Sequence, residues 1–285
     1  MTLLEKRMRG LNTDLSVAVS KVVDQEAAPT RVHRLRTTIR RIESLVSYAH
    51  PELDKKLERS LEKMADLRKR AGKVRDLDVQ TEILGTLGNG SSAKDRKTLA
   101  GLLEKKRNRQ SRRLQSAVKK IQGSKFFVRM DRVAEQAAVL QGGKNRPLAP
   151  LEEARAQLAE MASDFAARQT MKADRLHDAR VTLKRIRYLA ELAEKTPEQN
   201  NFIRELKAVQ DAIGDWHDWQ ELTSTAEKRF FDRANCVLLR EARTVLGARH
   251  SDAVSAVNKL FALALAPTRK PPRSAQSFHT SARSA

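Results

Sequence analysis

The chain contains the same helical motif twice, and this duplication constrains its fold more than any other feature. The first copy reads His33-Arg-Leu-Arg-Thr-Thr-Ile-Arg-Arg-Ile42, and the second, 144 positions later, reads His177-Asp-Ala-Arg-Val-Thr-Leu-Lys-Arg-Ile186. Aligned without a gap, both copies have a histidine, an arginine three residues on, two basic residues at positions seven and eight after it, and then an isoleucine. The repeat predicts two halves of related architecture.

Each copy separates charged from apolar side chains when it is drawn as a helix at about 100° per residue. The basic stripes consist of His33, Arg36, Thr37 and Arg40 in the first copy and of His177, Arg180 and Lys184 in the second. The opposite, apolar stripes consist of Leu35, Ile39, Ile42 and Val46, and of Ala179, Leu183 and Ile186. A solvated face would explain either copy alone, but a histidine on the basic stripe in both copies favours an anion-binding site.

The charge balance indicates which anions such a site would attract. The chain has 56 Lys+Arg against 35 Asp+Glu, a formal net charge of +21. A field of this strength favours a polyanion, namely nucleic acid, inorganic polyphosphate or an acidic membrane surface. Aromatic residues make up only 4% of the chain, which argues against the base-stacking surfaces of single-strand binders.

Other features bound the compartment and the class of protein. Cys236 is the only cysteine, so no internal disulfide is expected and a reducing compartment fits. Charged residues interrupt the apolar positions at the N-terminus, which speaks against a signal peptide, and no apolar run approaches the roughly 20 residues of a membrane span. We therefore expect a cytoplasmic protein without a membrane partner.

Apolar residues recur three and four positions apart through most of the chain, which predicts an all-α fold. Turn signals at 27–30, His50-Pro51, 85–92 and Thr196-Pro197 separate the helices. We expect an N-terminal helical half at 1–140, a linker at 141–150, a C-terminal half at 151–266, and a disordered basic tail at 267–285. Each half is expected to bury its apolar stripe on its own helices.

A second repeated element follows each histidine motif after about forty residues. Residues 71–77 (Ala-Gly-Lys-Val-Arg-Asp-Leu) align with residues 213–219 (Ile-Gly-Asp-Trp-His-Asp-Trp). We interpret each as a Gly…Asp join near a helix end, where Asp76 and Asp218 act as caps or turn formers. Core positions are expected for Trp216 and Trp219. No functional role is expected for the remaining histidines, which are His50, His217, His250 and His279.

With both motifs and both Gly…Asp elements, the chain resembles the CHAD family, named for conserved histidines in an α-helical domain. The resemblance extends over roughly residues 1 to 265 and implies two pseudo-symmetric antiparallel four-helix bundles with a basic channel between them that binds inorganic polyphosphate. The implied polyphosphate-binding residues are His33, Arg36, Arg40, Arg41, His177, Arg180, Lys184 and Arg185. Asp178 departs from the first copy, which has Arg34 there. The Glu-x-Glu-x-Lys motif of a CYTH domain is not seen, so the chain looks like a stand-alone member.

Polyphosphate is a flexible chain with about one charge per phosphate, so binding it requires many cations on facing walls. His33 to Arg40 spans about 10 Å of helix, enough to contact several phosphates. A histidine beside a polyanion shifts toward its protonated form, so we expect binding to tighten toward pH 6. Such binding would either sequester the polymer or bring the protein to polyphosphate granules, and proteins of polyphosphate metabolism or of the granules are candidate partners.

Residues 94–132 form a second strongly basic segment, with fourteen basic residues against three acidic ones. Its polar side presents a second candidate polyanion-binding set, Lys105, Arg109, Arg112 and Lys119. The segment is either a further wall of the channel or an outward ridge, and the sequence alone does not orient it. The ridge interpretation leads to the alternative function, a nucleic-acid-binding helical protein that uses this segment and the tail.

Catalysis is not expected from the sequence. Gly85 and Gly90 have the spacing of a phosphate-binding loop, but Ser91 stands where its lysine belongs and no strand precedes it. The residues three and four positions after each motif histidine are not metal ligands, so the spacing does not resemble a zinc site. We expect a binding protein without a catalytic residue, a metal or a cofactor.

Overall fold

The structure, a computed structural model, describes residues 3–24, 27–49, 53–87, 93–143, 149–166, 173–232 and 235–266. These residues form helices and no strand, which confirms the all-α class. The helices of the described chain are α1 (Leu3–Asp24), α2 (Pro29–Ala49), α3 (Lys55–Thr86), α4 (Ala93–Gln122), α5 (Phe126–Gly143), α6 (Pro150–Ala166), α7 (Ala173–Ala190), α8 (Pro197–Arg229) and α9 (Val237–Leu265).

The order of helix lengths repeats along the chain. Helices α1 to α4 have 22, 21, 32 and 30 residues, and α6 to α9 have 17, 18, 33 and 29. The histidine motifs fall on α2 and α7, in matching places. The described part of the N-terminal half contains α5 as well, so it has five helices where the resemblance implied four. The pseudo-twofold relation and the domain boundaries stay predictions.

Local signals explain where several helices begin. Asp54 caps α3, because its carboxylate accepts hydrogen bonds from the backbone N–H groups of Lys56 and Leu57. Thr196 caps α8 in the same way through the N–H of Gln199, and Pro197 occupies the first turn, where no hydrogen bond is lost. The predicted breaks before Pro29 and at Thr196-Pro197 are confirmed. Residues 50–52, 88–92 and 144–148 and the predicted tail lie outside the described residues.

The Gly…Asp elements are not joins between helices, and this prediction was wrong. Gly72 lies 17 residues after the first residue of α3 (72 − 55), and Gly214 lies 17 residues after the first residue of α8 (214 − 197). A glycine costs only about 1 kcal/mol in a helix interior, and the apolar periodicity continues past it on both helices. Asp76 and Asp218 are therefore neither caps nor turn residues but point from the middle of long helices.

The predicted apolar stripes of both motif helices are fully buried except for Val46, which is partly buried against the same core. Trp216 and Trp219 are core residues as expected. The core is not divided between the halves, however. One connected cluster of buried residues draws on helices of both halves, from Met8 on α1 to Phe261 on α9. A second cluster joins Leu84 and Leu99 of the N-terminal half to Trp219 and Leu239 of the C-terminal half. The expectation of separate cores was wrong, because the ends of α3, α4, α8 and α9 also carry apolar residues.

The halves also contact each other directly through equivalent helices. The motif helices α2 and α7 pack together, and so do α3 and α8. Arg41 of α2 forms an ion pair with Glu191, which follows α7, with 2.9 Å between Nε and Oε2. Arg7 of α1 donates a hydrogen bond to the carbonyl of Ala193. Because α2 and α7 lie side by side, their two basic stripes are brought to the same region.

Candidate functional site

Four basic residues from the two motif helices form the centre of the site: Arg36 and Arg40 from α2, and Arg180 and Lys184 from α7. We call them the central cation cluster. All four are half-buried, and the charge of each is close enough to influence at least one of the others across the contact between the halves. The structure thus brings together half of the eight residues that the sequence singled out.

Lys184 is the most perturbed member of the cluster. Burial and then the neighbouring charges of Arg180, Arg40 and Arg36 lower its pKa from 10.5 to about 6, and Asp218 offsets only part of this. Its amine is therefore largely uncharged at neutral pH while the cluster holds no anion. An anion placed among these side chains would reverse the effect and restore the charge.

The three arginines experience the same two forces. Burial is the main factor that lowers the pKa of Arg36, Arg40 and Arg180, and repulsion from other members of the cluster adds to it. Guanidinium groups stay charged in proteins. The lowered pKa therefore means that each charged arginine is destabilised by burial and by repulsion from its neighbours, and it does not mean that the group loses its proton. Positive charge has been concentrated where water solvates it poorly.

Two carboxylates from the long helices partly compensate the cluster. Oδ1 of Asp76 on α3 lies 3.6 Å from Nη1 of Arg36. Asp218 of α8 is the carboxylate that most strongly raises the pKa of Arg180. Gly72 lies one turn before Asp76, and a β-carbon there would be 3.7 Å from Nε of Arg36. A β-carbon there would be in ordinary van der Waals contact with the guanidinium group, so Arg36 lies close to α3 at this position without requiring a glycine.

Compensation of the cluster is incomplete. The Nε atom of Arg180 is buried and has no hydrogen-bond partner, although a buried donor left unpaired costs about 1–3 kcal/mol. Further cations stand at its edge: the charge of Arg68 acts on Arg40, and those of Arg75 and Arg187 act on His33. A site with more buried positive than negative charge, and with a free donor, is arranged to receive an anion.

The motif histidines lie at the exposed edge of the cluster. Burial and then the charges of Arg75, Arg36 and Arg187 lower the pKa of His33, so its ring is neutral at pH 7 before any anion binds. The ring of His177 lies beside that of His217 on α8, with 5.9 Å between the ring centroids. The buried Nδ1 of His217 has no hydrogen-bond partner and lies 3.5 Å from the carboxylate of Asp218.

Arg41 and Arg185 differ from the other predicted site residues because both are exposed. They stand one residue after Arg40 and Lys184, so on a helix they are turned about 100° away from the basic stripe. Arg41 is held by Glu191 and connects the two halves. A role for either residue in anion binding stays a prediction.

Sequence reasoning missed the contribution of α3 and α8. On α3 the residues near the cluster are Arg68, Gly72, Arg75 and Asp76, and in the aligned repeat their counterparts on α8 are Gln210, Gly214, His217 and Asp218. Their spacing of four, three and one residues places each set on one helical face, which is the signal that was available. Gln210 also positions α7, because its side-chain amide donates a 2.7 Å hydrogen bond to the carbonyl of Leu183.

Comparison with known proteins places this arrangement in a family. The model of the CHAD domain matches residues 13–227. The chain belongs to the CHAD domain family. No curated protein gives a match. Within the described residues no group of three or more His, Cys, Asp and Glu side chains is arranged to hold a metal ion.

Solved structures have the same fold. The crystal structure of the CHAD domain from the plant Ricinus communis is similar with a TM-score of 0.69 and 16% sequence identity, over 93% of this chain and 91% of that chain. A structure of PptA from Streptomyces chartreusis is similar with a TM-score of 0.57 and 17% identity, over 92% of this chain and 97% of that chain. At these identities the likeness establishes the CHAD fold and leaves the ligand open.

The depressed pKa of Lys184 leads to a stability prediction for the anion-free protein. Below pH 6 the amine is charged in both the folded and the unfolded state, so the folded state is destabilised by the full free-energy cost of burying that charge. As pH rises from 6 toward 10.5, the unfolded state holds the extra proton, so stability increases. Lys184→Met should therefore stabilise the protein by about 1 kcal/mol or more near pH 6, and the gain should shrink toward pH 10.

Urea unfolding in an anion-poor buffer measures the change in the free energy of unfolding and its dependence on pH. Lys195→Met is the matched control, because Lys195 is exposed and its replacement should change stability by less than about 0.5 kcal/mol at every pH. Destabilisation by Lys184→Met at pH 6, or a gain that does not depend on pH, would contradict the burial of a repelled charge.

Proposed function

We propose that this CHAD domain binds inorganic polyphosphate at the central cation cluster. The observation that carries the proposal is the convergence of Arg36, Arg40, Arg180 and Lys184 from two helices into a half-buried site with too few carboxylates. Family membership supports the same ligand class. An anion with several linked charges would relieve the repulsion among all four side chains at once.

A thin and flexible anion suits this site better than a duplex does. The cations come from facing helices, α2 and α7, and are half-buried, so the bound groups must reach between the helices. A single phosphate chain can enter such a space and present oxygens on all sides to guanidinium donors. A duplex is about 20 Å wide, and its phosphates would meet the edge residues without reaching the unpaired Nε of Arg180.

The first test removes charge from the cluster and keeps its volume. A variant with Arg36, Arg40, Arg180 and Lys184 changed to Gln should bind long-chain polyphosphate at least about 100-fold more weakly, a loss of about 2.7 kcal/mol. The loss is expected because every member contacts phosphate in a poorly solvated site, where charge-assisted hydrogen bonds are strongest. Isothermal calorimetry at near-physiological salt gives both the affinity and the heat.

A matched control separates the site from net charge. Arg59, Arg204, Arg240 and Lys259 are exposed residues outside the cluster, and changing all four to Gln removes the same residue types and at least as much charge. Their loss should weaken polyphosphate binding by less than about threefold, since exposed charges act only through a screened field. Equal weakening in the two variants would refute binding at the cluster.

The second test uses the pH dependence that Lys184 imposes. Its pKa is about 6 without an anion and must rise when phosphates come close, so binding takes up a proton at neutral pH. Affinity should therefore increase as pH falls from 9 toward 6, by at most about tenfold per pH unit for each proton taken up. His33, whose pKa is also lowered, should add to the increase near and below pH 6.5.

Lys184→Arg is the informative comparison, because arginine keeps its charge throughout this range. This variant should bind more tightly than the wild type at pH 9 and should lose most of the dependence between pH 9 and 7. A His33→Ala/His177→Ala variant should keep the increase that Lys184 causes down to about pH 6 and lose the additional increase that His33 contributes near and below pH 6.5. Identical pH profiles in the wild type and Lys184→Arg would show that Lys184 stays outside the binding equilibrium.

We further propose that binding occurs without cleavage of the polymer and that it brings the protein to polyphosphate granules in the cytoplasm. None of the described helices is long and apolar enough to cross a bilayer. Gel electrophoresis of polyphosphate incubated with the protein and Mg²⁺ should show an unchanged chain length. A fluorescent fusion should coincide with stained granules, and the four-residue Gln variant should spread through the cell. Shortened chains, or granule association by the Gln variant, would refute these roles.

A further inference from the structure

A long run of exposed basic residues lies on α4, outside the central cation cluster. Helix α4 is held by α3 and α1, and its inward side chains include Leu99, Leu103, Leu114 and Val118, all fully buried. Arg107 is on this inner side, where its Nε donates a 2.6 Å hydrogen bond to Asp78. The helix is therefore fixed in rotation, and the question that the sequence left open is answered: its other cations form an outward ridge.

We call this surface the basic ridge. It consists of exposed cations, which are Lys94, Lys97, Lys105, Lys106, Arg109, Arg112, Arg113, Lys119, Lys120 and, in the turn after α4, Lys125. The one exposed acidic residue in the same stretch is Glu104, since Asp95 is buried. Within the described chain none of the ridge cations forms an ion pair. The ridge therefore presents ten exposed cations with one exposed carboxylate among them.

The ridge has a regular geometry. Three adjacent basic pairs, Lys105-Lys106, Arg112-Arg113 and Lys119-Lys120, follow each other at intervals of seven residues. Seven residues correspond to two helical turns and about 10.5 Å, so the first and second members of the pairs form two rows, each about 21 Å long. Adjacent residues are separated by about 100° around the helix. The first row therefore lies opposite the buried residues of α4, the second lies about 100° round the helix from it, and Arg109 lies between the two rows.

Two cation rows about 100° apart on the exposed side of one helix match a groove whose two edges are phosphate strands. The major groove of B-DNA is about 12 Å wide and admits an α-helix, whereas the major groove of duplex RNA is too narrow to do so. A convex ridge does not enclose a thin phosphate chain, so polyphosphate would gain less from it. An acidic membrane is disfavoured, because no large apolar residue is exposed between positions 93 and 125 and insertion requires an apolar face.

We propose that the basic ridge is a second polyanion-binding surface, one that takes duplex DNA with α4 in the major groove. The two rows contact phosphates on the two strands, and Arg109 faces the groove between them. This surface is independent of the central cation cluster, since it uses a different helix and different side chains. One CHAD domain would then hold polyphosphate and DNA at separate places.

The test changes Lys105, Lys106, Arg112, Arg113, Lys119 and Lys120 to Gln, a residue whose helix propensity is close to that of Lys and Arg. Fluorescence anisotropy with a DNA duplex of about 20 base pairs, two turns, measures affinity over a range of salt concentrations. The wild type should show a slope of log K against log salt near −5, as expected for about six phosphate contacts. The ridge variant should bind at least about tenfold more weakly at 0.1 M salt, with a clearly smaller slope.

The matched control changes six exposed cations of the C-terminal half with the same residue types, Lys195, Lys207, Lys228, Lys259, Arg204 and Arg240, to Gln. It should stay within about threefold of the wild type for DNA. The ridge variant should keep full polyphosphate affinity, and the variant with Gln in the central cation cluster should keep full DNA affinity. Circular dichroism confirms that each variant retains its helices.

Several outcomes would overturn the proposal. Absence of DNA binding by the wild type, or equal DNA affinity of the ridge and control variants, would show that the ridge is a solvated face. Equal affinity for an RNA duplex of the same sequence would refute the placement of α4 in the major groove. Loss of DNA binding in the cluster variant would show that DNA competes for the polyphosphate site.

Discussion

The contact between α2 and α7 is the constraint on which the rest of the site depends. Each motif helix buries its apolar stripe in the shared core, with only Val46 partly exposed, and burial of a leucine or isoleucine side chain contributes about 1.5–3 kcal/mol. This gain fixes the rotation of both helices about their axes. The basic stripes of α2 and α7 are therefore forced to lie beside each other. The repulsion among four half-buried cations is therefore imposed by hydrophobic packing and is not stabilising in itself.

The same reasoning explains the long helices behind the site. Asp76 and Asp218 stand at the same distance from the start of α3 and α8 and moderate the charge of Arg36 and of Arg180. Fuller compensation would give closed ion pairs and a site with no affinity for an anion. The balance found here keeps the arginines folded in place and leaves Nε of Arg180 without a partner. Polar groups of α3 and α8 thus set how strongly the central cation cluster needs a ligand.

The sequence predicted those features of the structure that depend on local periodicity, namely the helices and their buried faces. The amphipathic pattern identified both motif helices and which residues each would bury, and the duplication indicated that Arg36, Arg40, Arg180 and Lys184 belong together. The Gly…Asp elements were misplaced because glycine was taken as a break, although its cost of about 1 kcal/mol is small against the packing of a long helix. His217 was set aside because its proximity to His177 depends on how α7 and α8 pack, which no single stretch of sequence encodes.

The two basic surfaces differ in how their charge responds to surroundings. The cations of the ridge are exposed and stay charged whether or not a partner is present, so their attraction for phosphate depends mainly on salt. The charge of Lys184 depends on the ligand itself, since its pKa of about 6 must rise as an anion approaches. Under the two proposals, affinity at the cluster is coupled to proton uptake and affinity at the ridge to counterion release. A fall in pH at constant salt would then favour the cluster over the ridge, and one chain would distribute between two polyanions without a change in its fold.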